Sequence, residues 1–389
     1  MRILAIKRSA PTSAANGLDL PVREILRRVA AQHEVLLACW EGETATPDNL
    51  AFQTVVRPLP GQAAGPDYGG ELDCGDRLLQ HYGFALASVP WLAGLIYEWR
   101  PDVLVGVDYA TLPALHANPS CPRVAYLIDN RYLAARQNLV RGDGSRLRAV
   151  AELIWSWRLH RRHGDAADAF VLVTEEEAAA FRRFTRRPCW AVTNGVDVER
   201  FRPGGAIRAA AAVVFVGSLD FPPNIEAAAW FCERVWPHVR RECPGARFHI
   251  VGRHPVARVL ELGKRAGVEV IADPPDVRPH LARAAAAVAP LRSGGGVKNK
   301  ILEAWAMRTP VVATRMALAG LAARPGENIL AADRPGEFAG AVVRCLHDAG
   351  LRESIAARGR ETVLAEHTWE RAAERFEVCL GCAMLTGKC

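Results

Sequence analysis

The stretch "AAVAPLRSGGGVKNKILEAWAMRTPVVAT", Ala286 to Thr314, decides the fold. A short apolar run leads through three glycines into a basic pair. A largely apolar segment with one glutamate follows, then a second apolar run. The outer runs read as strands buried on both faces, and Lys298–Met307 between them as a helix. A strand, a glycine loop, a helix and a strand form the repeating unit of a parallel α/β sheet. Ligands of such sheets bind beyond the carboxyl ends of the strands, where this loop falls. Gly294, Gly295 and Gly296 let backbone N–H groups approach a phosphate, and the helix N-terminus adds its dipole. The chain has 49 Lys+Arg but only five lysines, and two of these are Lys298 and Lys300. Cations at a helix N-terminus oppose the macrodipole by about 0.3–1 kcal/mol each, so their placement points to a nearby anion. Glu303 lies one turn further on, where a carboxylate can accept from both hydroxyls of a ribose. The plainer alternative is a solvated loop with incidental lysines and a glutamate on the one wet face.

Outward from this stretch the same alternation covers most of the chain. Strands are predicted at Ile3–Ile6, Val35–Ala38, Val103–Val107, Val124–Ile128 and Phe170–Val173. Helices are predicted at Pro21–Ala31, Leu78–Trp99, Arg146–Arg162 and Glu175–Phe184. A turn-rich segment, Asn194 to Ala206, breaks the rhythm and reads as a linker. The series then restarts, with strands at Val213–Val216, Arg247–Val251, Val268–Ile271, Ala287–Ala289 and Val311–Ala313. Helices at Asn224–Arg241, Pro255–Ala266 and one ending near Arg283 separate them, and Glu337 to about Leu385 is helical throughout. The expected fold is therefore α/β, with two doubly wound, Rossmann-like domains. Their expected extents are 1–195, with a helix near 366–385 crossing back onto it, and 205–365.

At 389 residues the chain suits two domains. Half its residues are hydrophobic and its formal charge is +7, which excludes a disordered chain and fits an anionic ligand or surface. The cations are dispersed and no DNA- or RNA-binding motif is present, so no nucleic-acid partner is expected. The ten cysteines are scattered and read as small buried residues of a reducing compartment. Cys379 and Cys382 lack further ligands at zinc spacing, so no metal site is expected. No apolar run reaches a transmembrane length, and "MRILAI" is a first strand rather than a signal peptide. The expected location is cytoplasmic, with peripheral contact at the inner membrane face open. In "RLRAVAELIWSWRLHRRH", Arg146 to His163, arginines mix with Leu147, Val150, Leu153, Ile154 and Trp157. Such a helix can lie on an anionic bilayer, but a core helix with a charged outer face is the commoner case and the expectation here.

Four blocks in order carry a family resemblance: "DAFVLVTEEEAAAFRR" (168–183), "TNGVDVERFRP" (193–203), "FVGSLDFPPNIEAAAWF" (215–231) and the opening stretch. Together they resemble family 4 glycosyltransferases of the GT-B fold, most closely the bacterial sugar transferases of exopolysaccharide clusters. The resemblance implies two facing domains, transfer of a sugar from a UDP-, GDP- or TDP-sugar to a hydroxyl acceptor, retention of anomeric configuration, and no bound metal or permanent cofactor. A glycan, a small molecule or a lipid-linked acceptor at the membrane would fit.

On this resemblance Glu303 is the second glutamate of the E-x7-E pattern, on the ribose. The first, expected on the donor sugar, is replaced by Gly295. The arginine and lysine usual after the "FVG" strand are replaced by Ser218 and Asn224. Lys298 and Lys300 are expected to take their place on the diphosphate. The first loop, where the family carries a glycine pair, has only Gly17. Asp129 follows a strand and is the candidate for the acceptor's proton or a sugar hydroxyl; Asp108, one strand earlier, is the parallel candidate. Either can instead be a helix cap. Gly252 and His254 in one loop, and Asp276 in the next, are candidates around base, ribose or phosphate. Glu175–Glu177 read as acids favoured at a helix N-terminus. Two rival functions share this fold, a nucleotide-sugar epimerase or hydrolase and a non-catalytic binding subunit.

Overall fold

The computed structural model describes residues 1–11, 19–41, 52–57, 88–141, 146–204 and 209–386. These form two compact units, Met1–Thr193 with Trp369–Cys389, and Asn194–Thr368. The candidate Gly17 and the stretch Leu78 to Ala87 of one expected helix lie outside the described residues.

The first unit holds seven parallel strands: β1 (Arg2–Ser9), β2 (Glu34–Glu41), β3 (Gln53–Val56), β4 (Val103–Val107), β5 (Arg123–Tyr126), β6 (Ala169–Leu172) and β7 (Cys189–Ala191). They lie in the order β3-β2-β1-β4-β5-β6-β7. The second holds β8 (Ala209–Val216), β9 (Arg247–Gly252), β10 (Val268–Ala272), β11 (Ala284–Ala289), β12 (Val311–Ala313) and β13 (Leu330–Ala331), ordered β10-β9-β8-β11-β12-β13. In each sheet the winding reverses once, between β1 and β4 and between β8 and β11. A crevice opens at such a switch point, at the carboxyl ends of the two strands.

Every described strand named from the sequence is present. Three short edge strands, β3, β7 and β13, and the helix Arg131–Arg141 are additional. The expected single helix over 224–241 is interrupted. It runs as a helix Pro222–Trp230, a π-helical turn Phe231–Val235 and a further helix Trp236–Glu242. Pro237 lacks an N–H and would crowd the carbonyl one turn back, and the wider turn absorbs it.

The last helix, Trp369–Thr386, packs against the helix Asp19–Val29 of the first unit, with Arg28 Nε 2.7 Å from Glu370 Oε1. Phe376 on it is buried against Tyr126 of β5.

The core reading of Arg146–His163 needs correction. Its buried face is Ala149, Ser156, Leu159, His160 and His163. Leu147, Val150, Ile154 and Trp157, expected to face inward, are exposed. The helix packs on the neighbouring helix Arg131–Arg141, and His160 on its inner face lies against Tyr109, Tyr132 and Phe181.

Candidate functional site

At the switch point of the second sheet two loops meet, Gly217–Phe221 after β8 and Pro290–Lys298 after β11. The first crosses β9 so closely that a Cβ on Gly252 would stand 1.7 Å from the carbonyl oxygen of Gly217. Gly217 in turn has no side chain to occupy the space where Asn224 and Lys300 meet; a Cβ there would lie 2.9 Å from Lys300 Nζ. The helix Asn299–Ala306 starts at this point with Lys298 as its N-cap residue.

The two lysines have different surroundings. Lys298 folds back over the glycine loop and donates to the carbonyls of Gly294 (2.8 Å), Gly295 (2.5 Å) and Gly296 (3.1 Å). Gly294 and Gly296 adopt φ of +96° and +68°, a conformation in which a side chain is strained. Lys298 thus holds the loop's shape. Lys300 donates to Asn224 Oδ1 at 2.7 Å, and its ammonium stands 4.1 Å from the centroid of Phe215. Asn224 completes the link by donating to the carbonyl of Ser218 at 2.8 Å. Burial pushes the Lys300 ammonium down to about 7, Lys298 adds repulsion, and Glu303 opposes both. Burial pushes Glu303 up to about 7 against the pull of Lys300 and Arg200. Among the described residues no hydrogen bond engages the Glu303 carboxylate. A cation and a carboxylate one turn apart, both poised near neutrality, remain available for an anion and for hydroxyls.

The segment 194–203 ties down the same end of the unit. Asn194 is buried and donates to Asn299 Oδ1 at 2.9 Å. The carbonyl of Arg200 accepts from Arg278 Nη1 at 2.9 Å. Arg278 also grips Asp276, 2.7 Å from Nη2 to Oδ2, and holds that carboxyl below its ordinary value. Asp276 is therefore engaged within its own turn. His254 is exposed, has φ of +53°, and donates its backbone N–H to Asp273 Oδ1 at 2.8 Å. Glu226 accepts from Ser293 Oγ at 2.9 Å, which fastens the start of the glycine loop to the helix Pro222–Trp230.

In the first unit the carboxyl ends of β4, β5 and β6 bring together Asp108, Asp129 and Glu177. Asp108 has φ of +72° and its Oδ1 accepts from the N–H of Tyr109 at 2.8 Å, a capping role. Asp129 pairs with Arg131 Nε at 3.1 Å. Burial raises its carboxyl, Arg131 opposes this, and Asp108 adds to it. Tyr109 donates to the Asp129 carbonyl at 2.9 Å and lies 2.9 Å from Nε2 of His160, which burial keeps neutral by lowering it to about 3. From the sequence, Glu177 reads only as one of three acids favoured at a helix N-terminus. This residue is only 4% exposed, its Oε2 has no hydrogen-bond partner among the described residues, and burial and then Asp129 push it up to about 7. A signal was available: in "TEEEAAAF" the third acid stands one turn after the Thr174 cap, on the face that carries Ala178 and Phe181 inward.

Residues 210–348 match the family model described as Glycosyl transferases group 1. The group 1 match spans both loops of the second switch point and the helix carrying Lys300 and Glu303. No curated protein matches the chain. Solved structures match it over nearly its whole length. A sucrose-phosphate synthase from Thermosynechococcus elongatus superposes with a TM-score of 0.73 at 17% identity, over 97% of each chain. HepE of Anabaena, in complex with UDP-glucose, gives 0.63 at 14% identity, over 98% of this chain and all of that one. An E. coli protein bound with UDP-2-fluoro glucose gives 0.62 at 14% identity, over 99% of each. The fold is GT-B.

Proposed function

We propose that this protein is a glycosyltransferase that moves a sugar from a nucleoside diphosphate donor to a hydroxyl acceptor, with retention. The observation that carries the reading is the juxtaposition of Lys300 and Glu303 at the switch point of the second sheet. Lys300 and loop N–H groups meet the diphosphate, and Glu303 accepts from the ribose hydroxyls. As the glycosidic bond breaks, negative charge grows on the departing diphosphate, and a preorganised ammonium stabilises it in place of a metal. Asp129 is the first unit's candidate for the acceptor hydroxyl. The group 1 match and the UDP-sugar complexes of HepE and the E. coli protein support a nucleotide-sugar donor. A cytoplasmic location and a place in polysaccharide assembly follow from the sequence resemblance to family 4 transferases.

A thermal-shift panel of UDP, GDP, ADP, TDP and CMP tests the donor reading. One nucleoside diphosphate should stabilise the protein by about 2.7 kcal/mol at a hundred times its dissociation constant. A flat response to all five would remove the nucleotide-sugar assignment. Gly295 favours a second reading, a non-catalytic glycosyltransferase-like binding subunit, because the carboxylate expected on the donor sugar is missing. Glu303→Ala separates the two: loss of a measurable transfer in a variant that stays folded sinks the binding-subunit reading, and consumption of donor without acceptor would instead point to an epimerase or hydrolase.

Binding should depend on pH with a maximum near 7. Above about 7 the free Lys300 is largely neutral, whereas a bound diphosphate favours its ammonium; binding then takes up protons and weakens by up to about tenfold per pH unit. Below about 7 the free Glu303 is largely protonated, whereas accepting ribose hydroxyls favours the carboxylate; binding then releases protons and weakens as pH falls. Calorimetry in two buffers of different ionisation enthalpy reads the sign directly. Proton release at pH 8, or uptake at pH 6, would contradict the assignment of these two side chains.

A further inference from the structure

The helix Arg146–His163 has an outer face that none of the described residues covers. Leu147, Val150, Ile154 and Trp157 stand at i, i+3, i+7 and i+10, one stripe of an α-helix. Leu147 is 84% exposed and the other three at least 40%, as is Trp155 beside them. The adjoining helix Arg131–Arg141 contributes Val140, 81% exposed near its end. Six of the 13 exposed large hydrophobic residues among those described thus fall on this helical pair. Soluble monomers rarely gather so much apolar surface without a use for it.

The charges on this helix are mostly of one sign. Arg146 and Arg148 flank its first residue, and Arg158, Arg161 and Arg162 follow it. Glu152, the helix's one acid, lies towards the buried side and pairs with Arg148 Nε at 3.1 Å. The Arg161 guanidinium lies 5.1 Å from the Trp157 ring centroid, so cation and aromatic share the same face. A helix of 18 residues is about 27 Å long, and no described helix is long and apolar enough to cross a membrane.

We propose that this face docks on an anionic phospholipid surface, with the helix lying in the membrane plane. The apolar stripe enters the boundary between headgroups and acyl chains, the tryptophans occupy the interface, and the arginines at both ends meet lipid phosphates. The stripe and the arginines at its two ends match a bilayer, which supplies an apolar layer and a surface of anions together. The inference rests on this helical pair alone and does not require the nucleotide reading.

Sedimentation of the full-length chain with vesicles tests it. Vesicles of phosphatidylcholine mixed with phosphatidylglycerol should carry the protein down, and phosphatidylcholine alone should carry little. Added salt should weaken the capture. Ile154→Glu, at an exposed site that leaves the core intact, should weaken it about tenfold or more, and Arg158→Glu with Arg161→Glu by a similar factor. Wild-type tryptophan emission should shift to shorter wavelength on vesicles, and a Trp155→Phe/Trp157→Phe variant should lose that shift. Equal capture by both vesicle types overturns the proposal, as does undiminished capture of Ile154→Glu. Absence of capture together with a concentration-dependent dimer that Ile154→Glu dissolves also overturns it, and assigns the stripe to a second copy of the chain.

Discussion

Replacing Lys300 by methionine should leave a folded protein that has lost about 10²–10³ of its transfer rate, the range for removing one donor from a developing oxyanion. Methionine keeps most of the apolar stem over Phe215 and removes the ammonium that burial already strains. Removing a desolvated charge offsets part of the loss at Asn224, whose Oδ1 forfeits its 2.7 Å donor, at about 1–3 kcal/mol. Lys300→Arg should not rescue activity, because the space beside Gly217 is shaped to an ammonium. Lys298→Met gives the contrast. That ammonium serves the carbonyls of Gly294–Gly296, so its loss should loosen the loop and weaken donor binding by less than about tenfold, the scale of one modest hydrogen bond. Steady-state rates and nucleotide affinities of the three variants decide the matter. A Lys300→Met enzyme within threefold of wild type, or a Lys298→Met enzyme more damaged than it, would contradict the assignment.

Gly252→Ala should be the most damaging small substitution in the second unit. Its added methyl would sit 1.7 Å from the Gly217 carbonyl oxygen, and the obstacle is backbone that cannot rotate away. β9 and the loop after β8 must separate, which disturbs the loop that positions Asn224 and Lys300. Overpacking of this kind costs about 3 kcal/mol or more. For a unit of this size that lowers the midpoint of thermal unfolding by roughly 6–12 °C. Gly204→Ala, where a Cβ meets nothing within 4 Å, is the matched control and should leave the midpoint unchanged. A Gly252→Ala midpoint equal to that control would show that the crossing is looser than its geometry indicates.

The architecture was legible because its signals are cumulative. Each buried parallel strand is a short apolar run, and a second series after a turn-rich linker leaves few alternatives to tandem doubly wound sheets. Where the reading fell short, local preference conflicted with context. β11 is "AAAAVA", and alanine favours helix, so only Ala287–Ala289 were expected in the strand; the sheet holds all of Ala284–Ala289 because its neighbours β8 and β12 supply the hydrogen bonds. The pairing of Lys300 with Asn224 joins residues 76 apart in sequence, and no spacing rule reveals it. Lys298 and Lys300 look equivalent in the sequence, yet the two-residue step from N-cap into the helix sends one to its own loop's carbonyls and the other to the switch point. Glu177 was hidden by its companions: three consecutive acids read as a solvated helix start, and only the fold shows that the third points inward.

The last helix gives the first unit a particular birth order. Phe376 closes over Tyr126, 250 residues away in the chain, and Glu370 meets Arg28, 342 residues away. During synthesis the Asn194–Thr368 unit emerges as one contiguous stretch and can complete its sheet while the ribosome is still working. The older, N-terminal sheet must wait, with one side uncovered, until the helix Trp369–Thr386 leaves the exit tunnel. The half of the molecule made first is therefore the half finished last, and the interval in which it is open to chaperones or to misassembly is set by the time needed to translate the other half.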